Sequence, residues 1–451
     1  MLIKVISIFS MMSISWAIEL REPDWPTQIC ATLPASLKEG PVGYLPEAAE
    51  DYPDTLRIQQ ALNNCKAGKA VKLIKGHAGD AFLSGPIDLP SGVTLWIDSG
   101  VTLFASRNPR DFDKKPNSCG VLSGTGCKAL INAVRTKASA VVGEGIIDGR
   151  GGQKLLGSQE SWWDLAARAQ RENQDESCAR LMIIKDSQDF TLYKIRLHNS
   201  PNFHVVAKGM DGFIVWGVTV DTPSKAYPEG TRARNTDAFD PNGNNIVFNK
   251  CYINTGDDHI AIKGGGSPVS NVWVQDCHFY KGHGMSIGSE TYAGVHNVTV
   301  KNLSIDGADN GLRIKSDSSR GGVVSGIYYE NICIRDTDAP LVFDSYYSNK
   351  TGAKIPDFHD ITVSNTMIVS SSSTNLVFRG YKAGWPVKVK LNNVCSDVKL
   401  SNMVVSDAEI TVQGVGNIPF KSNAHDNVKI YDQGGQCQPL DCNRMFVPLP
   451  R

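Results

Sequence analysis

Three aspartates fall within one stretch of 22 residues: Asp237 in Asn235-Thr236-Asp237, then Asp257 and Asp258 in Gly256-Asp257-Asp258. Downstream stand His283, between Gly282 and Gly284, and the pair Arg313 and Lys315 around Ile314. Carboxylates held close together cannot all ionise, so one is driven to keep its proton. A protonated carboxyl can donate to a leaving oxygen while an ionised one activates water, which is what cleavage of a glycosidic bond requires. Arg and Lys beside them suit pairing with a substrate carboxylate. The set implies acid/base cleavage of an acidic sugar polymer, a polyuronate.

Taken singly, each motif has a plainer meaning. Asp-Asp after Gly is commonly a turn. A His between glycines is commonly a loop residue, and Arg-x-Lys a solvated strand face. Clustered aspartates also suit calcium, but a His and two cations among the acids oppose that reading. No Cys or His spacing suggests zinc. Neither a metal nor a cofactor is expected. Everything rests on whether the fold brings the motifs to one place.

A repeat supplies that fold. A polar or Gly residue followed by alternating apolar positions starts at Asp189, Gly212, Asn245, Asn271, Asn297, Gly326, Asp360 and Asp397. Periods of 20 to 50 residues mark solenoids and related arrays. Short strands with Gly or Asn corners predict an all-β protein, a right-handed parallel β-helix whose inward residues stack from turn to turn. Earlier turns are expected at Val93, Leu95, Val101 and Leu103 and from Val141 to Ile147. A short helix from Asp54 to Cys65, with Asp54 as N-cap and Leu56, Ile58, Ala61 and Leu62 on one face, is predicted to cap the N-terminal end. The segment from Cys437 to Arg451 is expected to close the other end.

Aligning the strands before each repeat start matches Ile262, Ile287, Ile314 and Val342 as inward residues. Asp237, Asp258, His283 and Asn310 then share one position on successive rungs about 4.8 Å apart. Asp257 would reach that column through a bend supplied by Gly256. Lys263 falls in register with Lys315.

The rest of the chain sets the context. Lys4 and an apolar run from Val5 to Trp16 precede Ser15-Trp16-Ala17, a pattern that predicts a signal peptide over residues 1–17 cleaved after Ala17. The run is shorter than the roughly 20 residues of a membrane span. Residues 18–451 then form one catalytic domain, secreted and extracellular. Lys plus Arg equals Asp plus Glu, 46 each, so no global charge draws the chain to nucleic acid or membrane. The 11 cysteines fit an oxidising compartment. Cys30/Cys65, Cys119/Cys127 and Cys437/Cys442 are pairs suggested by proximity, at least one thiol stays free, and Cys251 and Cys277 read as small buried hydrophobes. Asn297, Asn302 and Asn349 match glycosylation acceptors, and the first two also suit β-helix corners.

In order, Asn235-Thr236-Asp237, Gly256-Asp257-Asp258, Gly282-His283-Gly284 and Arg313-Ile314-Lys315 resemble the four signatures of the polygalacturonase family of glycoside hydrolases, family 28. The resemblance extends to Leu83-Ser84-Gly85-Pro86-Ile87, Gly145-Ile146-Ile147-Asp148-Gly149 and Asn199-Ser200-Pro201. It implies a monomer that hydrolyses α-1,4 galacturonan of de-esterified pectin with inversion and without a metal. It implies Asp257 as general acid, Asp237 and Asp258 positioning and deprotonating water, and His283 supporting the acid. Arg313 and Lys315 would bind the galacturonate carboxylate, and Tyr346 would be a subsite tyrosine, with adjacent Tyr347 leaving that register open. Endo attack is expected. The alternatives are exo attack, a calcium-dependent pectate lyase and a non-catalytic glycan-binding solenoid.

Overall fold

Corner residues decide this architecture. Asp189, Gly212, Asn245, Asn271, Asn297, Gly326 and Asp360 all take left-handed backbone conformations, with φ between 51° and 85°. Gly, Asn and Asp enter that region most easily. Each therefore turns the chain where the repeat starts. The asparagines also bond to one another. Asn297 Nδ2 donates to Asn271 Oδ1 at 2.7 Å, Asn271 to Asn245 at 3.3 Å, and Asn245 to Asp211 at 3.0 Å. A second ladder links Asn331, Asn302 and Asp276. The amide nitrogens of Asn297 and Asn302 are thus engaged at corners, while Asn349 lies outside the described residues.

The structure, a computed structural model, describes residues 20–40, 43–348, 350–369 and 375–450. Residues 1–17, expected to be a signal peptide, fall outside that range. Among the described residues thirty strands join in one ladder, paired in parallel between turns, as a right-handed parallel β-helix requires. Phe190, Phe213, Ile246, Val272, Val298, Ile327 and Ile361 occupy one inward row, residue against residue. The main core is one apolar cluster from Ala35 to Ile418, with two small satellite clusters around Phe104 and Trp216.

One face of the helix concerns function. Its strands are β1 (Met182–Lys185), β2 (Val205–Trp216), β3 (Phe239–Asn249), β4 (Ile260–Ile262), β5 (Met285–Gly288), β6 (Asn310–Lys315), β7 (Ala339–Asp344) and β8 (Asn375–Arg379). Ile262, Ile287 and Ile314 are in register. Their partner in β7 is Phe343, not Val342, which pairs with Arg313 instead. The expected alignment slips by one there because Ala339-Pro340-Leu341-Val342-Phe343 offers apolar residues on both faces.

Other expectations need correction. Asp397 starts no rung; the next turn is the strand Val387–Ser396, whose Val389 pairs with Ile361. The helix α1 runs Thr55–Asn64 and buries Ile58 and Leu62, but Leu56 is exposed. The Asp54 carboxylate does not cap it; it accepts from Leu83 N at 3.2 Å and pairs with Arg57. A second helix, α2 (Trp162–Glu172), was not expected. Ser161 and Asp164 form its capping box, and Trp162, Leu165, Ala166 and Ala169 form its buried side.

The C-terminal segment departs most from expectation. Instead of closing the end, residues 437–450 run back along the flank of the solenoid. Cys437 bonds Cys395 and Cys442 bonds Cys333, so the suggested Cys437/Cys442 pair does not form. Cys30–Cys65 and Cys119–Cys127 are bridged, and Cys178, Cys251 and Cys277 are free and buried. The Met445 carbonyl meets His278 Nδ1 at 3.0 Å, Val447 O accepts from the Tyr280 hydroxyl at 2.9 Å, and Phe446 packs on the Arg335 guanidinium at 4.2 Å.

The asparagine ladder carries a stability prediction. Asn271→Ala removes both of its rungs and strands a Cβ residue in the left-handed region, so unfolding free energy should fall by about 1–2 kcal/mol. Asn271→Gly keeps the turn and should lose less. Denaturant melts of both variants check this, and equal stabilities for wild type and Asn271→Ala would refute it.

Candidate active site

The acids sit on the turns that enter β3 and β4. Phe239 pairs with Ile260, Ile260 with Met285, and Met285 with Leu312. Two places earlier on each strand this puts Asp237, Asp258, His283 and Asn310 in one column. Thr236 ties the first two turns together: its hydroxyl accepts from Gly256 N at 3.0 Å and donates to Ala233 O at 2.7 Å. Gly256 is required here by contact, since a Cβ would lie 1.9 Å from Ala233 O. Its backbone is not left-handed, so the expected bend is a close approach of two turns.

Asp258 is buried and fully partnered. Lys315 Nζ lies 2.6 Å from one oxygen. Ser286 Oγ donates to the other at 2.8 Å, and Arg313 reaches it at 3.6 Å. Burial alone would raise its pKa, but Lys315, Arg313 and Lys263 outweigh that and hold the carboxyl well below the usual range. Asp237 is its opposite. Burial, reinforced by the charges of Asp240, Asp257 and Asp258, pushes its carboxyl well above the ordinary value. Neighbouring Asp240 is likewise pushed up, to about 6, mainly by burial. The column therefore holds one carboxylate kept ionised beside one biased to keep a proton.

Asp257 is partly exposed and faces a cavity of about 1470 Å³ that His283, Arg234 and Lys281 also line. Its Oδ1 meets His283 Nδ1 at 2.9 Å. The other imidazole nitrogen faces Asp309 Oδ2 at 3.2 Å. Burial would lower the His283 pKa, but the bond to Asp257 and the charges of Asp257, Asp258 and Asp309 raise it. With a carboxylate at each nitrogen, His283 favours its doubly protonated form. Gly284, at φ 87°, admits the close pass of Asn310 O, 2.3 Å from where a Cβ would stand.

His259 braces this turn from behind. It is buried, stacks on Phe279 at 4.6 Å, accepts from Gly284 N at 3.0 Å and faces Tyr280 O at 3.0 Å. Burial lowers its pKa to about 4, so it serves as a neutral spacer. A Cβ on Gly282 would lie 2.6 Å from its Cε1.

Arg313 and Lys315 are not a solvated strand face; both side chains are largely buried. Both lie under the Tyr347 ring, at 5.1 and 5.0 Å from its centre. Lys315 is committed to Asp258. Arg313 keeps its Nε buried with no hydrogen-bond partner among the described residues, a donor that costs about 1–3 kcal/mol to leave unmade. Tyr346 turns away, packing against Tyr381 at 5.5 Å and Arg379 at 5.1 Å. Of the two adjacent tyrosines, Tyr347 is the one at the cations.

Sequence reading missed Asp240, His259 and Asp309, and left Tyr347 open beside Tyr346. Asp309 precedes the rung residue Asn310, and Asp240 lies on the outward row of β3, so a wider scan of the same alignment would have reached both. The side-chain atoms of Asp257, Asp258 and His283 nearest one another lie within 4.8 Å, close enough to hold a cation. Asp258 is already neutralised by Lys315, and the His283 nitrogens face carboxylates, so this set is poorly suited to a metal.

Comparison with known proteins agrees with this geometry. Residues 65–425 match the model for glycosyl hydrolases family 28. A polygalacturonase of Ralstonia solanacearum is 40% identical, over 96% of this chain and 92% of its own length. An endo-polygalacturonase of Pectobacterium carotovorum subsp. carotovorum is 47% identical over 77% of this chain and 85% of its own. Among solved structures, the polygalacturonase from Erwinia carotovora ssp. carotovora superposes with a TM-score of 0.75 and 41% identity, covering 92% of this chain and 99% of that one. With its signatures assembled into one acid column on a parallel β-helix, the chain belongs to glycosyl hydrolases family 28 and is a glycoside hydrolase.

Proposed function

We propose that this protein is a secreted, monomeric endo-polygalacturonase that hydrolyses α-1,4 linkages of de-esterified pectin with inversion. The observation that carries the reading is the opposed setting of buried acids beside an unsatisfied guanidinium. Asp258 is held ionised by Lys315, while the Arg313 guanidinium beside it has a buried Nε with no hydrogen-bond partner among the described residues. A uronate carboxylate would pair with the Arg313 guanidinium by charge as well as hydrogen bonding, which a neutral sugar hydroxyl cannot match. The curated relatives named above support the substrate and, in the Pectobacterium enzyme, the endo mode. No helix among the described residues is long and apolar enough to cross a membrane, and the pattern of residues 1–17 supports export.

In this proposal Asp257 gives its proton to the leaving oxygen. It opens to the cavity and takes its hydrogen-bonding from His283. Asp258, with Asp237 beside it, orients and deprotonates water. The nearest side-chain atoms of Asp257 and Asp258 lie within 4.8 Å, closer than the roughly 6.5–9.5 Å between carboxyls in inverting pairs. The proposal therefore assigns the water to the side of Asp258 turned toward Asp237, away from Asp257. Arg313 engages the sugar carboxylate and Tyr347 backs the cations, with Tyr346 farther along the cleft.

The reading is tested on de-esterified polygalacturonate with chelator present. Reducing ends should form without ultraviolet-absorbing products, and the first product seen by proton NMR should be the β-anomer. Unsaturated products that require calcium would make the enzyme a lyase, and accumulation of the α-anomer would replace inversion with a covalent intermediate. Asp257→Asn should lower kcat by about 10²–10⁴-fold with an unchanged fold; activity within about threefold of wild type would remove Asp257 from the role of acid.

The pH profile follows from the same contacts. Because His283 is raised above its ordinary value, it stays doubly protonated further into the neutral range than an ordinary imidazole and loses that proton as pH climbs. Activity should therefore peak on the acid side of neutrality and fall on the alkaline limb. His283→Asn removes that titrating group, so the alkaline limb should change position. An alkaline limb that does not move would dissociate His283 from the acid.

A further inference from the structure

The acid column does not end at Asp237. Val205 pairs with Phe239 and with Met182, so two places earlier Phe203 and Arg180 extend it on the N-terminal side: Arg180, Phe203, Asp237, Asp258, His283. Leu181 N donating to Phe203 O at 3.2 Å and His204 N to Asp237 O at 2.8 Å are the backbone bonds of that register. The Arg180 guanidinium lies 5.2 Å above the Phe203 ring. Its Nε is buried and has no hydrogen-bond partner among the described residues. This is the same unsatisfied state as Arg313, at the other side of the acids, two rungs or about 10 Å from Asp237. Arg180 forms no salt bridge among the described residues, yet its charge reaches Asp240.

The outward row beside this column is cationic on the same side. Lys185 pairs with Lys208; Asn242 follows, then Lys263, whose backbone N donates to Pro241 O at 3.0 Å, and Gly288 leads to Lys315. Lys185 and Lys208 are exposed. Lys208 has no salt bridge among the described residues, and Lys185 only a solvent-exposed one to Asp186 at 3.9 Å. On the C-terminal side the row is neutralised, because Arg379 makes two 2.8 Å bonds to Asp344. Free positive charge therefore lies toward the N-terminal end of the cleft.

We propose that Arg180, with Lys208 five residues past the column on the adjacent rung, forms a distal subsite that takes the carboxylate of a sugar residue two or more positions from the bond being cleaved, on the N-terminal side of the acids. This rests on the proposed polyuronate substrate. A planar guanidinium fixed over an aromatic ring gives directed pairing with a carboxylate, and the ring offers a face to the sugar. Parallel stacking matches roughly one sugar ring to one rung, so the track reads a run of carboxylates on one chain. Binding far from the bond cleaved favours attack within long chains over short ones.

The test compares kcat/KM on polygalacturonate with that on a short galacturonate oligomer for wild type, Arg180→Met, Lys208→Met, the double variant and Arg180→Lys. The polymer-to-oligomer ratio should fall about threefold to tenfold in Arg180→Met and further in the double variant, through KM rather than kcat; exposed and half-buried ion pairs support changes of that size. Added salt should narrow the difference, and Arg180→Lys should recover part of it. The subsite is overturned if Arg180→Met lowers both substrates by one factor, or lowers kcat at unchanged KM, with thermal stability unchanged. A wild-type enzyme that cleaves neither substrate would overturn the polygalacturonase reading, and with it this one.

Discussion

Parallel pairing without slippage is the constraint on which the rest depends. A side chain in a β-helix has meaning only through its row, because a shift of one residue sends it to the opposite face. Asp237, Asp258 and His283 lie one repeat apart in sequence and meet only because Phe239, Ile260 and Met285 pair in order. The left-handed asparagines and aspartates keep that order by turning the chain at the same place in each repeat. Their side-chain ladders run along the axis while the strands run across it, so turns are held to one another independently of the core.

Within that frame, electrostatics differentiates three chemically identical side chains. Asp258 meets two cations and a hydroxyl and stays charged. Asp237 is equally buried but faces other acids. Asp257 lies at the cavity with an imidazole for company. Position on the rung and the next rung's residue, not residue type, separate their tasks. Glycine enters for a related reason: Gly256, Gly282 and Gly284 each leave a gap that a neighbouring turn or ring fills, which lets the acid-bearing turns approach more closely than any Cβ would allow.

Period-two alternation made the solenoid and the acid column readable from sequence, since both depend on local spacing and one stacking rule. The reading failed where that rule stopped applying. Val342 was placed one residue off because β7 is apolar on both faces. Leu56 looked like a core residue on a helix whose buried side is only Ile58 and Leu62. Helix α2 was hidden inside a loop between turns, although its capping box was present in Ser161 and Asp164. Tyr346 and Tyr347 differ only in which way a turn points them. The Cys333–Cys442 and Cys395–Cys437 bridges joined residues that proximity in sequence could not match.

Those last two bridges change what kind of object the solenoid is. Stacked repeats contact only their neighbours, behave as a one-dimensional chain and can fray from either end. Here the returning segment joins Val447 to Tyr280 across 167 residues, and Cys442 to Cys333 across 109. Leu449 reaches the wall of the cavity that Asp257 and His283 share. The terminal turns are consequently strapped to the middle of the stack. Turns that open at that end stay tethered by a covalent tie, so their separation from the middle of the stack is limited. A nearest-neighbour array is thereby converted, over its C-terminal half, into a closed circuit.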